Sequence, residues 1–395
     1  MHKRLKRWAI LLALIIVMFM PLSVQGSTFY IKVYGSGPVY TLKGKTPAGP
    51  LVGYMAKFPM SPTCLTVLIP PGGFTQDGVG LDKMVDARDD VYVAINGDLF
   101  NRTNMYFKAP IGTYVSDGHV YHYVGPSTRG SFIGLRDGRY MWMRGQPYIY
   151  TFLESSCYTD DGPWGKGDRW ILFNPENGQH DWSKVKVVIY TEDVNEYIDA
   201  SWGNAYLIRD GKVVGRLTSP TNPHKAGGMM IVLKDGNLCS GDNVSIRSYV
   251  RVPWGEWFGD NIPDEYVPIE DVSVIFSGGP MLIYKGLEAD FWTDDYHTKR
   301  HPFSFIGMTK DFKLVMLAFD GRQGKYSNGV LTTEVIDWAM KNGFVYLLAL
   351  DSGGSTVMVE RVGGSVKVVN RPSDGRPRPM PAGIGWKNRC RSDRP

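Results

Sequence analysis

Phe344-Val345-Tyr346-Leu347-Leu348-Ala349-Leu350 runs directly into Asp351-Ser352-Gly353-Gly354-Ser355-Thr356. A companion lies upstream: Leu314-Val315-Met316-Leu317-Ala318-Phe319, then Asp320-Gly321-Arg322. Each reads as a buried strand that stops at an acidic residue and opens into a glycine turn, because short apolar runs bounded by turn residues mark buried strands. Between them, Thr333 to Lys341 reads as a helix, with Thr332 or Thr333 as its cap and Asn342-Gly343 as its stop. This strand-helix-strand order predicts a crossover with two parallel strands and both acidic ends at one sheet edge. Ligands bind outside the carboxyl ends of such strands. Paired carboxylates suit acid/base work on a glycosidic bond, and a neighbouring arginine suits a phosphate group.

Two further strands have the same construction. Val91-Tyr92-Val93-Ala94-Ile95 precedes Asn96-Gly97-Asp98-Leu99-Phe100, and Val274-Ile275-Phe276 precedes Ser277-Gly278-Gly279-Pro280. Other short apolar runs are separated by Asp117-Gly118, Asp137-Gly138, Asp210-Gly211 and Asp235-Gly236, dipeptides that favour tight hairpins. Hairpins predict mostly antiparallel pairing. A second helix is expected over Leu81 to Ala87. The fold class is therefore α+β: a strand-rich, mostly antiparallel sheet with a few packed helices and one strand-helix-strand crossover near the C-terminus.

The chain has 395 residues. His2-Lys3-Arg4-Leu5-Lys6-Arg7 is basic, Trp8 to Met20 is wholly apolar, and Pro21 ends the run before Ser27. Residues 1–26 read as a cleaved export signal, too short for a comfortable transmembrane span. Localisation is then secreted or extracytoplasmic, and membrane contact would come only through an uncleaved signal. The remainder, 27–390, reads as a single domain. The net charge is +5, and the four basic side chains of the signal leave the rest near +1, which excludes a nucleic-acid signature. Cys64, Cys157, Cys239 and Cys390 have no C-x-x-C spacing, so they do not suggest zinc. Two disulfides in any of three connectivities, or four thiols, remain open. The 11 Trp and 22 Tyr are core material that in exported proteins can also stack on sugar rings.

Taken together and in order, these elements resemble the phosphodiester glycosidase family, which includes the lysosomal uncovering enzyme that removes N-acetylglucosamine from a phosphodiester on mannose, and bacterial exported relatives. The family's N-G-G-x-F element is resembled by Asn96-Gly97-Asp98-Leu99-Phe100, and its G-G-P element by Gly278-Gly279-Pro280. An H-P-R-T-x-x-G element is resembled by His301-Pro302-Phe303-Ser304-Phe305-Ile306-Gly307. D-G-R stands at Asp320-Gly321-Arg322, D-G-G-G-S-S/T at Asp351 to Thr356, and N-R-P-S-D-G-x-x-R at Asn370 to Arg378. The likeness runs from about Leu81 to Arg378. Three departures stand out: Asp98 and Ser352 each replace a glycine, and Phe303 replaces an arginine. If that arginine holds phosphate, Arg300 or Lys299 would have to supply the contact from the same loop.

The resemblance implies a hydrolase acting on a sugar phosphodiester or phosphate-containing glycan. Departing phosphate is already a weak base, so stabilising its charge matters more than general-acid help. Catalytic candidates are Asp320, Asp351 and His301. Substrate-binding candidates are Asn96, Arg322, Gly353, Gly354, Ser355 and Arg378, with the arginines as forked donors and the glycine turn as an anion nest. The residues name no definite cofactor; the carboxylates could coordinate a divalent cation such as calcium. The rival readings are turn capping by the two aspartates and a non-catalytic carbohydrate-binding protein on the same fold.

Overall fold

Two long apolar runs build the centre of an eight-stranded sheet in the computed structural model, which describes residues 29–100, 107–125, 127–158, 170–175, 182–254, 263–289 and 298–390. The expected export signal, 1–26, lies outside the described residues. In chain order, the elements framing the acidic strand ends are β1 (Gly49–Pro59), β2 (Val91–Asn96), β3 (Phe303–Thr309), β4 (Lys313–Phe319), α1 (Thr332–Lys341), β5 (Phe344–Ser352), β6 (Met358–Val362) and β7 (Gly383–Lys387). The sheet order is Tyr30–Tyr34, Val39–Thr46, β1, β4, β3, β5, Met281–Tyr284, Leu287–Glu288.

Every neighbouring pair in this sheet is antiparallel. β4 and β5 do not pair with each other. Each pairs with β3, which lies between them, so they run in the same direction and the connection through α1 steps over a strand. Phe303 faces Phe319 on one side and Ser352 on the other. The ends of β4 and β5 therefore share one sheet edge, two strand spacings or roughly 10 Å apart.

Both faces of the sheet are covered, which is why its central strands read as continuous apolar runs. On one face, Phe303, Phe305, Leu317, Phe319 and Leu347 pack with Val335, Ile336 and Ala339 of α1. On the other, Ile306, Met316, Leu348 and Leu350 pack against Val93 and Ile95 of β2, Tyr114, Phe132 and Trp142. β2 lies in a second sheet, ordered Ser365–Val368, β6, β2, β7, Leu65–Leu68. Among the described residues there are also two more five-stranded sheets and a three-stranded one, and Trp170–Phe173 with Val185–Tyr190 form a parallel pair.

Local chemistry follows the sequence in most places. Asp117-Gly118 and Asp210-Gly211 take positive φ at both residues, as a two-residue hairpin turn requires. The cap of α1 differs from expectation. Neither threonine caps it; the Glu334 side chain reaches back to the Leu331 N–H at 3.2 Å. Gly343, at φ +77, stops the helix. Among the described residues, no helix is long and apolar enough to cross a membrane.

The cysteines form two disulfides, Cys64–Cys390 and Cys157–Cys239, with Cα separations of 4.5 and 5.7 Å. The first closes a loop of 326 residues, so its loss should release much chain entropy in the unfolded state. Cys64→Ser with Cys390→Ser should lower unfolding free energy by up to about 5 kcal/mol. Denaturant melts of the oxidised protein and the double variant check this; equal midpoints would contradict it.

Candidate active site

Where β4 ends, the chain turns sharply. A Cβ on Gly321 would lie 2.7 Å from Pro302 N and 2.8 Å from Gly329 Cα, so only glycine allows this approach. The next residue, Arg322, sits at φ +60, a costly conformation for a side-chain-bearing residue and one that concentrates at functional sites. Its Nη2 donates to His301 Nδ1 at 3.0 Å. A guanidinium only donates, so Nδ1 is the acceptor and the neutral imidazole carries its proton on Nε2. The guanidinium also covers Gly353 (φ +66), where a Cβ would sit 3.0 Å from Nη2.

Where β5 ends, Asp351 N–H donates to Gly97 O at 3.0 Å, and its carboxyl accepts the Ser352 N–H at 2.8 Å. The Ser355 hydroxyl also hydrogen-bonds that carboxyl. Ser355 Oγ in turn accepts from Arg378 Nη1 at 3.2 Å, and Arg378 Nε donates to Asp374 at 2.8 Å. Any side chain at Gly354 would run into Arg378 and Asp374. The structure thus brings Asp351, Arg322, His301, Gly353, Gly354, Ser355 and Arg378 together. Gly353 N–H is committed to Pro302 O, so it cannot serve the anion nest expected of it. Gly354 and Ser355, in the first turn of a short 3-10 helix, have no intrahelical acceptor for theirs.

Asp320 departs from expectation. Its carboxyl has no exposed surface. It accepts Asn370 Nδ2 at 2.9 Å, Arg371 N–H on both oxygens at 3.1 Å and Tyr326 OH at 3.1 Å. That environment anchors the loop 370–371 rather than presenting an acid or base to substrate. It also leaves no oxygen arrangement suited to sharing a cation with Asp351. Among the described residues, the one grouping with metal-ligand spacing is Cys157, Cys239 and Asp242, whose sulfurs are already joined in a disulfide.

Asn96 is also reassigned. It is fully buried. Its Nδ2 donates to Asp351 O at 2.9 Å and Gly97 O at 3.2 Å, while Oδ1 accepts Ser304 Oγ–H at 2.6 Å and Val357 N–H at 3.1 Å. No capacity remains for a sugar hydroxyl. Phe303 stacks on Phe305 at 4.8 Å in the core beneath α1. Arg300 does not replace the missing arginine, because it pairs with Glu334.

Burial pushes both carboxyls up to about 6. For Asp351, hydrogen bonds from Ser355 and Ser352 oppose the shift, neighbouring Asp98 adds to it, and Arg378 draws it back. Asp98 escaped the sequence reading except as a departure. It is buried and ion-paired to Arg129, and nothing in a separation of 31 residues signals such a pair. A cavity of about 810 Å³ lies at the opposite strand ends, between Trp254, Met308, Phe312 and Tyr346, away from this chemistry.

Raised carboxyl values fix the sign of the pH dependence. The stability that neutral Asp320 and Asp351 provide is complete below about pH 4 and is lost as pH rises through about 6. Melting temperature should therefore be higher at pH 5 than at pH 7, each group losing about 1.4 kcal/mol over that interval, roughly half of its whole contribution. Asp320→Asn should cost about 1–3 kcal/mol by mismatching the N–H donors around it, whereas Asp351→Asn should cost less. Calorimetry at the two pH values decides; a flat profile would contradict the assignment. Phe303→Arg should cost about 3–5 kcal/mol by burying an unpaired charge. A melt of that variant unchanged from wild type would place Phe303 outside the core.

Comparison with known proteins follows the same line. No curated protein sequence matches this chain. Among solved structures, a hypothetical protein from Synechocystis is 18% identical with a TM-score of 0.64, over 91% of this chain and 64% of that one. This chain thus spans less than two thirds of that protein's length. A Burkholderia pseudomallei protein designated as exported is 16% identical with a TM-score of 0.58, over 85% of this chain and 74% of its own. The zebrafish N-acetylglucosamine-1-phosphodiester alpha-N-acetylglucosaminidase catalytic domain, auto-inhibited by its pro-peptide, is 13% identical over 93% of this chain and 91% of that one. Its TM-score of 0.46 adds nothing to the assignment. The first two likenesses speak to the fold alone. The family model for phosphodiester glycosidases matches residues 183–387, more than half of the sequence, and spans His301, Arg322, Asp351, Ser355 and Arg378, so the chain belongs to the phosphodiester glycosidase family.

Proposed function

We propose that this protein is an exported hydrolase that cleaves the bond between a sugar's anomeric carbon and a phosphodiester oxygen, on N-acetylglucosamine-1-phosphodiester or on a cell-surface polymer. Residues 27–390 form its catalytic unit, and the basic and apolar run of 1–26 directs its export. The observation that carries this reading is the meeting of the Asp351 carboxyl with the Arg322 and Arg378 guanidinium groups around the Gly353–Gly354 turn. One group suited to proton transfer and two suited to phosphate are thus held at one sheet edge.

Water attacks the anomeric carbon, the bond from that carbon to the phosphate oxygen breaks, and the phosphate leaves as a monoester. Near neutral pH the Asp351 carboxylate takes the proton from the attacking water, and its value of about 6 suits a base at that pH. Arg322, Arg378 and the Ser355 hydroxyl hold the phosphate oxygens, with backbone N–H groups of Gly354 and Ser355 beside them. His301, with its proton on Nε2, offers a neutral donor at the rim. Asn96 and Asp320 act through position: the first fixes the Asp351 backbone, the second the loop that leads to Arg378.

Asp351→Asn should lower kcat at least ~100-fold on a UDP-linked or chromogenic N-acetylglucosamine phosphodiester, with the fold intact. The wild-type kcat/KM should fall on the acid side with a limb near pH 6. Release of free sugar is the readout. Wild-type-like turnover in the variant would return Asp351 to turn capping, and sugar binding without release would assign the fold to carbohydrate binding.

A further inference from the structure

The sheet formed by Tyr148–Glu154, Ser245–Val252 and Glu265–Pro268 has two unlike faces. Ile149, Leu153, Val250, Val252 and Val267 alternate into the core. The opposite face carries Tyr148, Tyr150, Phe152 and Tyr249, all half-buried, and Tyr266, which is 56% exposed. Register places Tyr148, Arg251 and Tyr266 in one row across the sheet, with Tyr150 beside Tyr249 in the next. The Tyr148 and Tyr150 rings are near-parallel, 6.2 Å apart along one strand. Tyr266 meets Tyr150 edge-on at 5.4 Å, and the Arg251 guanidinium lies over the Tyr148 ring at 5.7 Å. This row runs into a cavity of about 440 Å³, which Tyr148 and Arg251 line together with Gln146 and Tyr284. Gln146 is 3% exposed: the Thr113 hydroxyl donates to its Oε1 at 3.0 Å, and its Nε2 is buried without an acceptor. A buried donor left unpaired is costly, and an acceptor entering the cavity would recover that cost. Asp351, Arg322, Ser355 and Arg378 do not line this cavity.

We propose that the cavity and the tyrosine row form a second binding site, separate from the Asp351 site, for a chain of uncharged pyranose units bearing acetamido groups. The site stands independently of the hydrolase reading. A pyranose ring has an apolar C–H face and a hydroxylated rim, which match the apolar body and polar tip of tyrosine. A cavity of this size, with a few polar groups set among aromatic walls, is the usual form of a small-molecule site. Charge favours a neutral guest. Arg251 donates to Asp264 at 2.5 Å and Arg247 to Glu154 at 2.8 Å, so both arginines of the tyrosine face are matched by a carboxylate. Such a pair donates through its guanidinium and accepts through its carboxylate, which suits hydroxyls that do both. Single-stranded nucleic acid needs a positively charged groove along its backbone as well as stacking rings, and here the arginines are neutralised instead. The Gln146 N–H2 lacks an acceptor, and an acetamido carbonyl supplies one.

Calorimetric titration of the protein with an N-acetylglucosamine tetramer tests this. The tetramer should bind, and Tyr148→Ala with Tyr150→Ala should weaken it at least about tenfold. Gln146→Glu, which replaces the N–H2 by an acceptor, should also weaken it about tenfold. Arg322→Gln should bind the tetramer as wild type does. If the double tyrosine variant does not fold, Tyr266→Ala, a change at the exposed rim, should show a smaller loss of the same kind. No binding by the wild-type protein would overturn the proposal. So would binding lost in Arg322→Gln and kept in the tyrosine variant, since the tetramer would then occupy the Asp351 site. Salt-sensitive binding of an oligothymidylate without binding of the tetramer would assign the face to nucleic acid instead. A dimer in sedimentation that the tyrosine variant breaks, again without sugar binding, would assign it to a second copy of the chain. Turnover of a small chromogenic sugar phosphodiester should be unchanged in the tyrosine variant, so failure of this site and failure of the hydrolase reading are seen separately.

Discussion

The buried amide of Asn96 joins the two sheets at the point where the chemistry sits. From the end of β2 it bonds the Asp351 carbonyl of β5, the Ser304 hydroxyl of β3 and the Val357 N–H that leads into β6. Each bond is worth about 1 kcal/mol net, but removing the amide would leave several buried polar groups unpaired, which costs more than the bonds contribute. This constraint fixes the height of Asp351 relative to the glycine turn. The conformations of Gly353, Gly354 and Ser355 follow from it, and through Ser355 so does the place of Arg378.

Asp320 and Asp351 show how similar proton affinities can serve different ends. Burial raises both to about 6. At Asp320 every oxygen is taken by donors from residues 326, 370 and 371, so its protonation state is read out in loop order and stability. At Asp351 the partners are one backbone N–H and one hydroxyl, and the hydroxyl is itself bonded to a guanidinium. A proton arriving at Asp351 is communicated to the groups suited to phosphate. A shifted value alone would not have told these two apart; the partner list does.

Much of this was legible in the chain. The apolar runs ending at Phe319 and Leu350 are strands, the run from Thr332 to Lys341 is a helix, and Asp117-Gly118 and Asp210-Gly211 are hairpin turns, because period and turn chemistry are local. The intervening β3 was not foreseen, since pairing partners depend on long-range register that no local pattern carries. The convergence of Arg322, Asp351, Ser355 and Arg378 followed from strand direction plus motif order. The commitment of Asn96, Gly353 and Arg300 to internal bonds did not, because a residue's type states its capacity and not whether its neighbours have used it. Disulfide pairing was likewise open, because spacing does not say that the fold brings Cys64 to Cys390 across 326 residues.

The charges around the glycine turn explain why an anion is the natural guest. Arg129 is paired with Asp98 and Arg378 with Asp374, so neither brings a net positive field to the cleft. Arg322 differs: it donates to His301 Nδ1, and among the described residues it makes no ion pair with a carboxylate. Its backbone is held at positive φ to place it there. With Asp351 ionised the empty site is close to balanced; with Asp351 protonated it carries one surplus positive charge. A phosphodiester bears one negative charge, so its binding favours the protonated form, while attack by water requires the ionised one.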